Sequence, residues 1–320
     1  MRALPRKAIV LLASMLMLIG VAVVVWLIGR PAGRNDEILV VLKTLTNPYY
    51  VEMKRGVDEV TSTLPKLYTV NVEAFDREDN VDGQIAAIRT AMNTGKLIAV
   101  SIAPASSTDL APIVAELNAA SIKVIVLDTK LDSAALAQAG AHYDAFIGSD
   151  NYAGGEEAAR FISKNVNPGP ARVLMLEGVP SQETAMSRKN GFLDYVKAKS
   201  LPWTVISQVA NWNREDGRAA TAAVLGTMEV PQAIFGCNDE MALGAIAALR
   251  AHGVGRDQWP VIVGFDATSD AIRACKDGVM AKTVEQQPYV MGKEAISLAV
   301  ALGRGQEVQK DRLIPVVLRP

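Results

Sequence analysis

Residues 38–57 read ILVVLKTLTNPYYVEMKRGV. Ile38 to Leu42 is an unbroken aliphatic run with the length and composition of a buried strand. From Val51 the pattern changes to that of a helix, and Pro48 suits its first turn. Between the two lie Lys43, Asn47, Pro48 and the adjacent Tyr49 and Tyr50. Aromatic residues make up only 5% of the chain, so a pair on a turn, where burial is hardest, asks for a reason. The same strand–turn–helix unit recurs along the sequence. Strands are expected over 37–43, 69–75, 97–102, 122–127, 171–176, 203–209, 232–236, 260–265 and 280–285. Helices are expected over 49–63, 81–94, 109–120, 151–165, 184–198, 214–226, 238–252 and 288–302. The run IKVIVL at 122–127 is apolar on both faces of a strand, the mark of a sheet covered on both sides. Repeated alternation of this kind implies an α/β fold of mainly parallel sheets with helices on both faces. Ligands of such sheets bind beyond the C-terminal strand ends.

At 320 residues the chain exceeds one ordinary core, so two domains are expected. Thirty-three Lys and Arg face 34 Asp and Glu, which leaves no cationic excess for a nucleic-acid backbone. His142 and His252 stand far apart, without ligand spacing, so no metal site is expected. Cys237 and Cys275 either pair in an oxidising compartment or remain separate buried thiols.

The N-terminal segment is distinct. Arg2, Arg6 and Lys7 precede an uncharged run, Ala8 to Ile28, which as a helix would extend roughly 32 Å, enough for a bilayer core. Its charges keep the N-terminus cytoplasmic and place the rest outside. Trp26, Leu27, Ile28 and Arg30 crowd the position of a cleavage site, which favours an uncleaved anchor over a cleaved signal. Residues 1–30 are thus expected to contact the membrane, and 31–36 to form a linker.

The strand ends carry hydrogen-bonding groups rather than a phosphate loop: Lys43 to Tyr50, Asp76, Ala103 to Ser107, Asp128 to Lys130, Glu177 to Gln182, Asn211 to Arg214, Asn238-Asp239, Asp266 and Gln286. No GxGxxG or GxxxxGK[ST] opens a helix, so no nucleotide cofactor is expected. There is no GxSxG, no nucleophile–base pair and hence no catalytic residue to name. Carboxylates and amides beside flat rings suit a sugar, with hydroxyls at its edge and C–H patches on its faces. Tyr49 or Tyr50 would cover one face and Trp212 the other. Alternatively, the tyrosines are packing at a helix start, and Asp128 and Asp266 are N-caps of following helices. Gly154-Gly155 reads as close packing.

Seven stretches in order carry a family resemblance: VVLKTLTNPYYVEMKRGV (40–57), IAPASSTDLAPIV (102–114), VIVLDTKLD (124–132), FIGSDNYAGG (146–155), GCNDEMALGAIAAL (236–249), VIVGFDA (261–267) and TVEQQP (283–288). Together they resemble bacterial periplasmic sugar-binding proteins of the ribose-binding type, with VLKTLTNPYY and LDTKLD most similar to the D-allose-binding branch. The resemblance spans about residues 37–318. It implies the two-lobed type I periplasmic binding protein fold with three hinge crossovers, near Ser149-Asp150, Gln286-Gln287 and Leu313-Pro315. The first lobe would comprise 37–149 with 287–313, and the second 150–286 with 314–320. It assigns ligand contacts to Asn47, Tyr49, Tyr50 and Asp128 in the first lobe. From the second come Arg188, stacking by Trp212, and Asn238, Asp266 and Gln286. Lys43, where the ribose type has serine, would donate to hydroxyls with Asp128 and Asp266 as counter-charges. Thr129, Tyr50 and Ala103 depart from one branch or the other, so the sugar is left open among hexoses, pentoses and polyols. The function implied is capture of a monosaccharide by hinge closure, without cofactor, and delivery to the permease of an ATP-driven (ABC) importer. The protein would be a monomer in the periplasm or at the cell exterior. The alternatives are a tethered sensor signalling to a receptor or kinase, and an enzyme using Asp128 with Asp266 as an acid–base pair.

Overall fold

The computed structural model describes residues 35–320, so the expected anchor at 1–30 lies outside the described residues. Among those described, no helix is long and apolar enough to cross a membrane. Asp36, read as the end of a linker, is already the first residue of a strand.

The first sheet is built from β1 (Asp36–Thr44), β2 (Tyr68–Phe75), β3 (Leu97–Ile102), β4 (Lys123–Leu127), β5 (Ala145–Ser149) and β11 (Asp311–Ile314). The second is built from β6 (Ala171–Glu177), β7 (Trp203–Val209), β8 (Ala233–Gly236), β9 (Val261–Asp266), β10 (Lys282–Glu285) and β12 (Val317–Arg319). The spatial orders are 2-1-3-4-5-11 and 7-6-8-9-10-12, one arrangement used twice. Every pairing is parallel except β10 with β12. Aliphatic content follows position. All six residues of central β3 are buried. Edge strands β2 and β7 largely alternate between half-buried and exposed residues, as one-sided strands do.

Helices α1 (Pro48–Thr63), α2 (Val81–Met92), α3 (Ala111–Ala119), α4 (Ser133–Ala139), α5 (Asn151–Asn165), α6 (Glu183–Ala198), α7 (Arg214–Leu225), α8 (Asp239–Ala251), α9 (Ser269–Lys276) and α10 (Pro288–Gly303) join the strands. Their starts are set locally. Side chains of Asn47, Asn80, Asp132, Asp150, Asn213, Asn238 and Thr268 each accept from a backbone N–H of the first turn, an exchange that contributes about 1 kcal/mol per cap. The first sheet has an apolar cluster on each face, one holding Ile38, Val40, Leu42 and Ile125, the other Leu39, Val41, Val124 and Val126. The second lobe is centred on Val173 to Leu176, Ile234, Phe235 and Phe265. Each fully buried side chain of this kind contributes about 1.5–3 kcal/mol.

Gly155 lies where α5 meets α6, and a Cβ there would come within 2.1 Å of the Arg188 carbonyl oxygen. Close packing, read from the sequence at this glycine, is what the helix pair requires. Cys237 is buried and Cys275 half-buried, both as free thiols. Of the pairing alternatives, the structure takes the separate thiols.

The chain passes between the sheets three times: from β5 to α5, from β10 to α10, and from β11 to β12. The candidate site lies among the C-terminal strand ends of both sheets, and of the three passages the one after β10 reaches it, through Gln286. The short elements β5, β11, β12, α4 and α9 were absent from the expected list.

Candidate functional site

The C-terminal end of β1 presents Lys43, and the start of α1 presents Asn47, Tyr49 and Tyr50. The end of β4 presents Asp128. From the other lobe come Arg188 on α6, Trp212 after β7, Asn238 before α8, Asp266 closing β9 and Gln286 after β10. All ten line one inner cavity of about 20 Å³, with Glu78 and Thr184 beside them. Three of these positions hold backbone that L-residues rarely adopt: φ is +63° at Asp128, +64° at Trp212 and +117° at Asp266. Such conformations cost about 1–3 kcal/mol each and concentrate at binding sites.

Each lobe contributes a carboxylate beside a cation. In the first, Lys43 Nζ is 3.5 Å from Asp128 Oδ2. It donates to Thr129 Oγ1 at 2.8 Å and to Gln182 Oε1 at 2.7 Å. Asp128 accepts from Tyr49 OH at 2.8 Å, Tyr50 OH at 3.1 Å and Thr129 Oγ1 at 2.9 Å. In the second, Arg188 Nη1 is 3.6 Å from Asp266 Oδ1. Arg188 also donates to Asn151 Oδ1 at 2.8 Å and to the Cys237 carbonyl at 2.6 Å, and lies 3.7 Å from the Phe265 ring centroid. The expectation that Lys43 has both aspartates as counter-charges is therefore corrected. Asp266 sits with Arg188 and with Gln286, whose Nε2 donates to it at 2.6 Å.

The cap reading of the two aspartates is also resolved. Asp132 caps α4 and Thr268 caps α9, so neither Asp128 nor Asp266 has that task. Asn47 and Asn238, in contrast, spend Oδ1 on capping. Their amides donate to Glu78 Oε1 at 2.7 Å and to the Trp212 carbonyl at 2.9 Å. Tyr49 and Tyr50 meet edge to face at 5.1 Å. Their rings belong to the apolar cluster with Met53 and Met291, and their hydroxyls reach Asp128. Packing and site roles are thus divided between the two ends of each side chain. Trp212 is buried, 5.2 Å from the Arg188 guanidinium, and its Nε1 donates to Gln182 Oε1 at 2.9 Å.

Burial governs the protonation equilibria. It lowers Lys43 from its ordinary value, opposed by Asp128 and Glu78. It raises both tyrosines well above theirs, and Asp128 adds to that rise. Asp266 is raised chiefly by burial, with Arg188 opposing. Burial also pushes Glu78 up to about 7, against Lys43 and the bond from Asn47. Carboxylates, cations and amides converging in this way can exchange their mutual hydrogen bonds for bonds to a ligand's hydroxyls.

Gln182, Glu78 and Thr184 were not among the expected contacts. Gln182 lay in a strand-end segment singled out for its polarity. Glu78 follows an edge strand, in a loop without a helix-like or strand-like pattern, and carried no signal of its own.

Residues 38–307 match the model of the family described as periplasmic binding protein domain. The ribose import binding protein of Haemophilus influenzae is 33% identical over 292 residues, covering 91% of this chain and 93% of that one. The D-allose-binding periplasmic protein of Escherichia coli is 31% identical over 264 residues, 82% and 83% of the two chains. A solute-binding protein of Actinobacillus succinogenes with bound D-allose superposes with a TM-score of 0.80 at 28% identity, covering 89% of this chain and 97% of the other. The myo-inositol-binding protein of Caulobacter gives 0.80 at 28% identity, covering 91% and 95%. The chain belongs to the periplasmic binding protein family, with the ribose-binding type of sugar-binding proteins, and is a binding protein rather than an enzyme.

Proposed function

We propose that the protein captures a monosaccharide of the allose or ribose kind between its lobes and delivers it to the permease of an ABC importer. The observation that carries this reading is the convergence of both lobes' strand ends on one cavity, with a carboxylate–cation pair from each. A carboxylate accepts from vicinal hydroxyls, and a neighbouring cation donates to their oxygens. Lys43, Asn47, Tyr49, Tyr50 and Asp128 would hold the sugar from one side, and Arg188, Trp212, Asn238, Asp266 and Gln286 from the other. A cavity of about 20 Å³ accommodates about one water. Entry of a sugar therefore requires the lobes to part and the site's internal hydrogen bonds to be exchanged for bonds to hydroxyls. Closure is then favoured by contacts the ligand makes with both lobes. The lobes are taken as 37–149 with 287–313 and 150–286 with 314–320, acting as a monomer in the periplasm or at the cell exterior, tethered by the N-terminal segment. The relatives named above are import or binding proteins, and sensing has no support among them.

Calorimetric titration of residues 35–320 with D-ribose, D-allose, D-fructose and myo-inositol tests the ligand class. Saturable one-to-one binding of at least one is expected. Absence of binding by all four, in protein refolded from denaturant to strip endogenous ligand, would overturn the reading.

A further inference from the structure

Gln182 stands at the cap position of α6 and does not cap it. Ser, Thr, Asp and Asn are favoured there because a short oxygen reaches the first-turn N–H groups. Here a longer side chain turns away from its own helix and crosses the cleft. It is fully buried, and all four of its hydrogen-bonding positions are used. Oε1 accepts from Lys43 Nζ at 2.7 Å and Trp212 Nε1 at 2.9 Å. Nε2 donates to the carbonyls of Glu78 and Ala105, each at 3.1 Å. Three of the four partners belong to the opposite lobe.

Its neighbours continue the contact. Ser107 N donates to the Ser181 carbonyl at 2.9 Å, and Glu183 N donates to Ser107 Oγ at 2.9 Å. Thr184 Oγ1 lies 3.4 Å from Thr129 Oγ1. These bonds join protein to protein and need no ligand. A residue that breaks a local rule while satisfying every polar atom elsewhere marks a position shaped by a wider demand.

We infer that Gln182 is a closure latch, a positioning residue that draws the lobes together before any sugar bridges them and holds Lys43 in place within the site. The inference deepens the binding-protein reading and rests on it only for its last consequence. Without the latch, closing must be driven by ligand contacts alone. With it, part of the closing free energy is built into the protein, and affinity rises in proportion to the closed fraction.

The test reads closure without sugar. The amides of Ser107 and Glu183 have their partners across the cleft, so in stripped, sugar-free protein their hydrogen exchange reports lobe opening. In wild type both should exchange slowly. Gln182→Ala removes three interlobe bonds, and these two amides should exchange at least about tenfold faster, while amides within β3 and β8 keep their protection. Gln182→Met, of similar length and without hydrogen bonds, should behave alike and guards against a packing defect in the Ala variant. Whichever of D-ribose and D-allose binds wild type should bind both variants more weakly, by the factor by which the closed fraction falls and by no more than the factor seen in exchange. Fast exchange of both amides in sugar-free wild type would overturn the inference. So would unchanged exchange in the variants, or loss of β3 and β8 protection in both. Failure of every sugar to bind would overturn the ligand reading and leave the exchange result standing on its own.

Discussion

Asp128 is the residue on which the first lobe's site converges, and Asp128→Asn perturbs it with little change of shape. Asparagine tolerates the left-handed backbone found there, and no helix loses a cap, because Asp132 serves α4. What changes is charge and acceptor count. Each carboxylate oxygen accepts from one tyrosine hydroxyl, and Oδ2 accepts from Thr129 as well. The amide retains one acceptor oxygen and turns the other position into a donor. If a sugar exchanges its hydroxyls for these donors, at least one charge-assisted bond is lost, about 1.5–3 kcal/mol or about 10- to 150-fold in affinity. Stability falls too, since Lys43 loses its nearest counter-charge. Removing one partner of a buried pair costs up to about 3–5 kcal/mol, and Glu78 nearby reduces that. Calorimetric titration beside thermal melts separates the two effects. Combining Asp128→Asn with Lys43→Met should recover part of the melting temperature and none of the affinity. Wild-type affinity in a folded Asp128→Asn protein would refute the assignment of Asp128 to the ligand.

The carboxyl of Glu78 is raised from 4.5 to about 7, so the unfolded chain releases its proton first as pH rises. Its stabilising contribution is full below about 4.5 and is lost by about 7, and denaturant midpoints should fall across that window, less steeply in Glu78→Gln; an identical slope in the variant would show that another carboxyl, such as Asp239, also raised to about 7, governs it. Gly155→Ala forces a Cβ against the backbone of Arg188, which should cost about 1–3 kcal/mol and, by displacing Arg188, weaken sugar binding as well; chemical denaturation and titration read the two losses.

The aliphatic runs at Ile38–Leu42 and 122–127 were sufficient to reveal a covered parallel sheet, because central strands have no solvent side on which to place polar residues. Short elements were not legible. β11 and β12 comprise four and three residues, too few for a period to emerge, and their pairing depends on partners distant in sequence. At the site, turn chemistry after the strands pointed to Lys43, Asn47, Tyr49, Tyr50, Asp128, Trp212, Asn238, Asp266 and Gln286, whereas Arg188, inside a helix, came only from the family resemblance. Their pairing did not follow, because Asp266 meets Arg188 only when α5 packs against both β9 and α6. Gln182 and Lys43 are separated by 139 positions, and their contact exists only with the lobes together. No local pattern encodes it.

The three passages of the chain between the sheets have a consequence for biogenesis. Helix α10 begins at Pro288 and β11 at Asp311, yet both complete the sheet that β1 begins. During synthesis the first lobe therefore lacks its last strand and a covering helix while all of the second sheet except β12 is made. At roughly 5–20 residues per second this delay is on the order of ten seconds or more. Until then β5 has an open edge where β11 will pair, and the apolar cluster that receives Met291, Ala295 and Ile296 from α10 is unfinished. Such a chain cannot complete the sheet of its first lobe until α10 and β11 have been made.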